Sequence, residues 1–229
     1  MLGLISPRNS IRLWNRGFFI LGPIKKALDN NRTFIYLRNV RVKDHKKEGA
    51  IFDAAIGLIT ANGFADTSMS KIAKAAGVSP ATIYVYFENK EDLLNKTYSH
   101  VKTEMATALT SGLKPGLAVE QAFKIIWHNF YEYAVASQVR FSFKEQFSNS
   151  PLVDKLRKEQ ALDNFHPLIE WFERGRREKV FKDIPLELFA AFAFAPLVAL
   201  AKQHFCGDIR LDEKLLKKAY EMSWESVTR

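Results

Sequence analysis

Along most of this 229-residue chain the apolar positions recur at helical spacing, with polar residues filling the opposite faces. From Asp44 to Ala61, Ile51, Ala55, Leu58 and Ile59 fall on one face of a first helix, and Gly63 offers its stop. Thr67 to Phe87 reads as two short helices joined by a tight turn. Met69, Ile72 and Ala73 face inward on the first, Gly77 suits the exit, and Ser79-Pro80 combines a cap with proline at the first helical position. On the second, Ile83 and Phe87 face inward, leaving Thr82, Tyr84, Val85 and Tyr86 to project elsewhere. A helix this short is unstable alone, so its neighbours must hold it.

Asn89 caps a further helix with Glu91 and Asp92 in its first turn and an apolar stripe of Leu94, Val101, Met105 and Ala108. Ser111, Gly112, Pro115 and Gly116 break the chain. Leu117 to Ala136 is strongly amphipathic through Phe123, Ile126, Trp127, Phe130, Tyr131 and Ala134. Gln138 to Phe147 adds Phe141, Phe143 and Phe147 at mixed spacing, as one helix with a bend. Ser150-Pro151 starts another run to Lys179, carrying Leu152, Leu156, Phe165, Ile169, Trp171 and Phe172 and split at Pro167. Phe181 to Pro185 is a loop. Leu186 to Phe205 is a nearly all-apolar helix interrupted at Pro196 and ended by Cys206-Gly207-Asp208. Leu211 to Val227 closes the chain, with Leu215, Ala219 and Met222 on one side and Leu216, Tyr220 and Ser223 on another. No strand pattern or internal repeat emerges, and the fold class is all-α.

Charge changes this picture in one place. The net charge is +9, but residues 1–43 hold nine basic residues and only Asp29 as an acid, leaving 25 basic and 24 acidic residues for 44–229. The main body is near neutral, so charge alone does not argue for nucleic acid. Three readings of the basic stretch 1–43 stay open: an arm that contacts DNA, a targeting or membrane-surface segment, or codons upstream of a natural start near Val40 or Val42. The apolar run Gly17–Leu21 is short for a signal-peptide core. The single cysteine, Cys206, excludes an intrachain disulfide and suits a reducing compartment such as the cytoplasm. The longest apolar run, Leu188 to Ala201, is short of a membrane span and contains Pro196.

Residues 63–94, GFADTSMSKIAKAAGVSPATIYVYFENKEDLL, closely resemble the DNA-binding domain of the tetracycline-repressor (TetR) family. The shared elements are the Gly-Phe pair, the Thr-Ser pair, Ile-Ala, Ala-Gly-Val-Ser, the hydrophobic-Tyr pair, Tyr-Phe and Asn-Lys-Glu-x-Leu. The resemblance implies a three-domain-segment layout: the basic extension 1–43, a helix-turn-helix domain over 44–94 with its motif at 67–87, and a helical ligand-binding and dimerisation domain over 95–229. It also implies DNA contacts. Thr67 would cap the first motif helix and lie near a phosphate with Ser68. Ser70 would reach the groove. Ser79, Pro80, Ala81 and Thr82 would form the entry end of the recognition helix, with Thr82, Tyr84 and Tyr86 touching backbone or bases. Lys90 would bind phosphate beside a helix N-terminus. This recognition helix lacks Arg, Lys, Asn and Gln, so specificity should lean on thymine-methyl contacts, hydroxyl bonds and DNA shape.

In the C-terminal region the aromatic side chains are core or the lining of an effector pocket. The pocket candidates are Trp127, Tyr131, Phe147, Phe165, His166, Trp171 and Phe194, with His128 as a second polar handle. Small residues on the penultimate helix (Ala190, Ala191, Ala193, Ala195, Ala199) and the Leu215, Ala219, Met222 stripe suit a homodimer built from the last two helices of each chain. The five histidines show no metal-ligand spacing, and no nucleophile, phosphate-loop or paired-carboxylate signature occurs. The expected protein is therefore not an enzyme and carries no metal or cofactor. It is a dimeric regulator, a repressor by resemblance, that binds a near-palindromic operator on double-stranded DNA. A small apolar or aromatic effector would release it, and no membrane is involved. The alternatives are a small-molecule binding protein with a vestigial helix-turn-helix, or an activator of the same fold.

Overall fold

The structure, a computed structural model, describes residues 44–148, 150–152 and 163–229. The expectations for 1–43 and for Leu156 lie outside these residues. Ten α-helices run through the described part: α1 His45–Asp66, α2 Met69–Ala75, α3 Pro80–Tyr86, α4 Lys90–Thr110, α5 Val119–Ala136, α6 Gln138–Phe147, α7 His166–Arg177, α8 Leu186–Ala193, α9 Ala195–Cys206 and α10 Glu213–Val227. A short 3₁₀ turn, Asp163–Phe165, leads into α7. The only extended pairing among the described residues is an isolated bridge between Phe181 and Thr228.

The helix starts follow from their caps. Asp44, Ser68, Ser79, Asn89 and Asp212 each accept a hydrogen bond from a backbone N–H in the first turn of α1, α2, α3, α4 and α10. Each such cap contributes about 1 kcal/mol by satisfying an otherwise orphaned donor. Gly63, at φ 81°, breaks the helical backbone inside α1, which resumes for a last turn before Thr67. α6 is a separate, regular helix after a break at Ser137 (φ −121°, ψ 44°), not a bent one. The interruption in the apolar segment 186–206 falls at Phe194 (φ −123°, ψ −28°). Pro196 sits harmlessly in the first turn of α9, where its missing N–H is no loss.

Two apolar clusters hold the chain. The first joins α1 to α4 through Ile51, Ile56, Ile59, Ile72, Ile83, Phe87 and Leu94. The second fills the C-terminal half around Phe123, Trp127, Phe172, Phe181 and Phe189. Each fully buried side chain of this size contributes about 1.5–3 kcal/mol. α6 belongs to both. Its Phe141 packs in the C-terminal cluster, while Phe143 and Phe147 pack with α1 and α4 in the N-terminal one. The mixed spacing of these three rings is thus one helix serving two cores.

Segment 186–206 departs from expectation in length. Its 21 residues are long and apolar enough to cross a membrane by composition alone, although only 22% of the most apolar window is buried. The inward positions are Phe189, Ala193, Leu197 and Ala201, four apart along α8 and α9. The opposite face, with Leu188 and Phe192, is exposed.

Candidate nucleic-acid interface and ligand cavity

The two motif helices are fixed from beneath. Met69, Ile72 and Ala73 of α2 and Ile83 and Phe87 around α3 are buried. Gly77 makes the turn at φ 66°, a conformation that favours glycine. What remains outward on α3 is a compact surface. Ser79, Pro80, Ala81, Tyr84 and Val85 are exposed and Thr82 is half-buried. Tyr84 is the most open of the large apolar side chains there, at 58%. The Ser79 and Thr82 hydroxyls lie 2.8 Å apart and share a proton bond, while Ser79 also caps the helix. Ser68 and Ser70 on α2 are exposed on the same motif.

Two expected contact residues sit elsewhere. Tyr86 does not project with Tyr84: it is 6% exposed. The Asp44 N–H donates to its hydroxyl at 3.0 Å, so this ring locks α3 to the start of α1. Thr67 is buried, and its hydroxyl donates to the Gly63 carbonyl at 2.9 Å. It closes the end of α1, and the cap of α2 is its neighbour Ser68, which accepts from Lys71 N–H. Lys90 lies at the start of α4 beside α1. Its ammonium donates to the Ala65 carbonyl at 3.3 Å and rests 4.1 Å above the Phe64 ring.

The C-terminal half holds a half-open cavity of about 690 Å³. Its wall is largely aromatic and aliphatic: Phe130 from α5, Phe165, Trp171 and Phe172 around α7, and Phe189 and Phe194 on α8 and its exit, with Met105 and Leu109 from α4. Lys144, Glu145 and Ser148 supply polar groups from α6, and Glu187 from the first turn of α8. A second, more polar groove of about 790 Å³ runs between the 113–117 loop and α7, lined by Lys114, His166, Glu170, Arg174 and Arg177.

Of the seven pocket candidates, Phe165, Trp171 and Phe194 line the apolar cavity. His166 lines the polar groove instead. Trp127 is core: it is fully buried and its indole N–H donates to the Ala193 carbonyl at 3.2 Å. Tyr131 packs against the same core from its edge, and Phe147 belongs to the N-terminal cluster. His128 stacks on Tyr220 rather than facing the cavity, and burial, reinforced by Lys124, lowers its pKa. Phe130, Phe172, Phe189 and the α6 charges were not singled out from sequence. Periodicity marks a ring as inward-facing but does not tell a packed ring from one beside a void.

Lysines gather at the α6 end of the cavity. Glu145 accepts from Lys144 at 2.7 Å and from Lys202 of α9 at 2.9 Å. Burial alone would raise the Glu145 pKa, but these two lysines outweigh it and hold the carboxyl below its ordinary value. Lys102 of α4 lies nearby with its ammonium 4.2 Å above the Phe165 ring. Burial, and then repulsion from Lys144, depress its pKa to about 8, with Glu145 pulling the other way. Tyr98 of α4 is buried, and that burial raises its pKa. α6 is also tied to the motif domain: Arg140 donates from Nε to Glu104 of α4 at 2.9 Å and from Nη2 to Asp53 of α1. Among the described residues no group of His, Cys, Asp and Glu is arranged to hold a metal ion.

Comparison with known proteins agrees with this layout. Residues 51–97 match the family model described as bacterial regulatory proteins, tetR family, and residues 118–228 match the tetracyclin repressor-like C-terminal domain. A fatty acid metabolism regulator protein of Bacillus subtilis is 34% identical over 76 residues, 33% of this chain, and the chain spans only 39% of that relative's length. An uncharacterized helix-turn-helix-type transcriptional regulator of Haemophilus influenzae is 20% identical over 188 residues, covering 78% of this chain and 94% of that one. The crystal structure of a TetR family transcription regulator from Marinobacter aquaeolei superposes with a TM-score of 0.77 at 27% identity, over 82% of this chain and 99% of that one. With one family model on the motif helices and another on the cavity-bearing half, the chain belongs to the TetR family of DNA-binding transcriptional regulators.

Proposed function

We propose that the protein is a homodimeric repressor whose affinity for a near-palindromic operator is lowered by a small, largely apolar effector bound in the C-terminal cavity. The observation that carries the effector response is the double membership of α6. Lys144 and Glu145 stand on the cavity wall, while Phe143 and Phe147 pack in the motif domain and Arg140 pairs with Asp53 and Glu104. A ligand that prefers one position of α6 therefore biases the position of α1 and α4, and with them the spacing of two recognition helices. Coupling requires only that difference in affinity.

DNA contact falls to the exposed face of the motif: Ser68, Ser70, Ser79, Pro80, Ala81, Thr82 and Tyr84, with Lys90 as a phosphate neighbour once its Ala65 bond is shared or released. Tyr86 and Thr67 act by holding this surface. Dimer formation falls to the exposed apolar face of α8 to α10. The reading places the protein in the cytoplasm with its DNA, without catalytic chemistry. It is tested by anisotropy with labelled DNA flanking its own coding region, titrated with salt. Tyr84→Ala should weaken binding at least about tenfold, roughly 1.4 kcal/mol, while sedimentation still shows a dimer. An unchanged affinity would remove α3 as the recognition helix.

A further inference from the structure

The cavity is apolar along most of its wall but not at its α6 end. There Lys144 and Lys202 share one carboxylate, that of Glu145. Lys102 forms no ion pair with a described residue; its ammonium rests over the Phe165 ring, and Glu145 and Lys144 act on it only through their charge. The remaining acid on the wall, Glu187, is exposed in the first turn of α8. Lys144 on the cavity wall and Lys102 and Lys202 beside it thus have one half-buried carboxylate, Glu145, among the three. A cation held in such surroundings is costly unless an anion joins it. The depressed pKa of Lys102 is the same imbalance seen from the proton's side.

The geometry points to a specific ligand class, resting on the effector-cavity reading above: a long-chain carboxylate, its apolar chain along Phe130, Phe172 and Phe189 and its head between Lys102 and Lys144. A monoanion matches Lys102, the one of these three lysines that pairs with no acid among the described residues. A neutral apolar compound would fill the wall and leave Lys102 uncompensated. The head also competes with Glu145 for Lys144, on the helix that joins the cavity to the motif domain.

The test uses the full-length protein and two fluorescent probes, cis-parinaric acid and its methyl ester, which share a chain and differ in charge. The acid should bind at least about tenfold more tightly than the ester and should lower DNA affinity in the anisotropy assay. In Lys102→Met with Lys144→Met the preference for the acid should fall below about threefold, with ester affinity kept as the sign that the cavity is intact. Lys102→Arg should retain the preference. Equal binding of acid and ester, both releasing DNA, would overturn the carboxylate assignment and leave the effector cavity standing. Acid preference that survives the double substitution would overturn the role of these lysines. Absence of binding by both probes, with DNA affinity unmoved, would overturn the cavity reading and this inference with it.

Discussion

Individual side chains in this protein often have one job decided by a single neighbour. Gly175 on α7 is such a case. A β-carbon there would collide with the ring of the fully buried Phe181 and lie 3.0 Å from Val119 Cγ1. Because Phe181 is enclosed by Phe172, Phe189 and Trp171, it has nowhere to retreat. Gly175→Ala should destabilise the fold by about 1–3 kcal/mol, as overpacking does, read as a lower denaturant midpoint at unchanged slope. Lys102 gives a prediction in pH. Its folded pKa of about 8 lies below the ordinary 10.5. Between these values the unfolded chain holds the proton and the folded one does not, so the Lys102 contribution to stability rises with pH across that window. Relative to Lys102→Met, the native protein should gain stability from pH 8 upward, levelling off near 10.5. A flat difference across the window would show that Lys102 is solvated in the fold. At this scale the sequence is legible where chemistry is local. Ser79 and Asn89 are caps because a short oxygen precedes an orphaned N–H. Thr67 and Ser68 could each cap α2, and only the approach of the Gly63 carbonyl to Thr67 decides between them.

The decisive element is α6. Its three phenylalanines at positions 141, 143 and 147 fit no single helical stripe, because Phe141 and the pair Phe143, Phe147 bury in different clusters. Periodicity reasoning assumes one core per helix, so it reads this pattern as a bend. Most helix boundaries survive such reasoning because a single face suffices, as in α5, where Phe123, Ile126, Trp127, Phe130 and Ala134 are all buried. The recognition helix shows the converse limit. Tyr84 and Tyr86 look alike in sequence, yet one is open and the other is held by Asp44, 42 residues away. Arg140 makes the coupling role of α6 testable. Arg140→Gln removes the pairs to Glu104 and Asp53 while leaving both clusters filled. DNA affinity without effector should change by less than about threefold. The fold-reduction in DNA affinity caused by cis-parinaric acid should shrink at least about fivefold, the low end of ordinary allosteric coupling. A response as large as that of the native protein would assign the transmission to the phenylalanine packing alone.

For the molecule as a whole, the question is what covers α8, α9 and α10. Phe192 is 52% exposed and Met222 71%, and Leu188 is open beside them, with small residues such as Ala191, Ala195 and Ala199 exposed on the same segment. An apolar run of this length exposed on both helices is unusual for a lone chain in water. Burial in a bilayer is a poor fit, because the segment is broken at Phe194, carries Lys202 in its second half and is followed by the charged α10. A second copy fits better: a two-fold axis sets the same apolar face against itself, and the alanines permit close helix approach. If a second copy covers this face, operator binding depends on it without its touching DNA, since two recognition helices must be held one helical turn apart. Phe192→Glu should therefore yield a folded monomer by sedimentation velocity, with the helical signal retained. Its operator affinity should fall by at least about a hundredfold, roughly 2.7 kcal/mol, because the second half-site is no longer delivered by the first. A monomer that keeps full operator affinity would separate DNA binding from assembly and refute this account of the face.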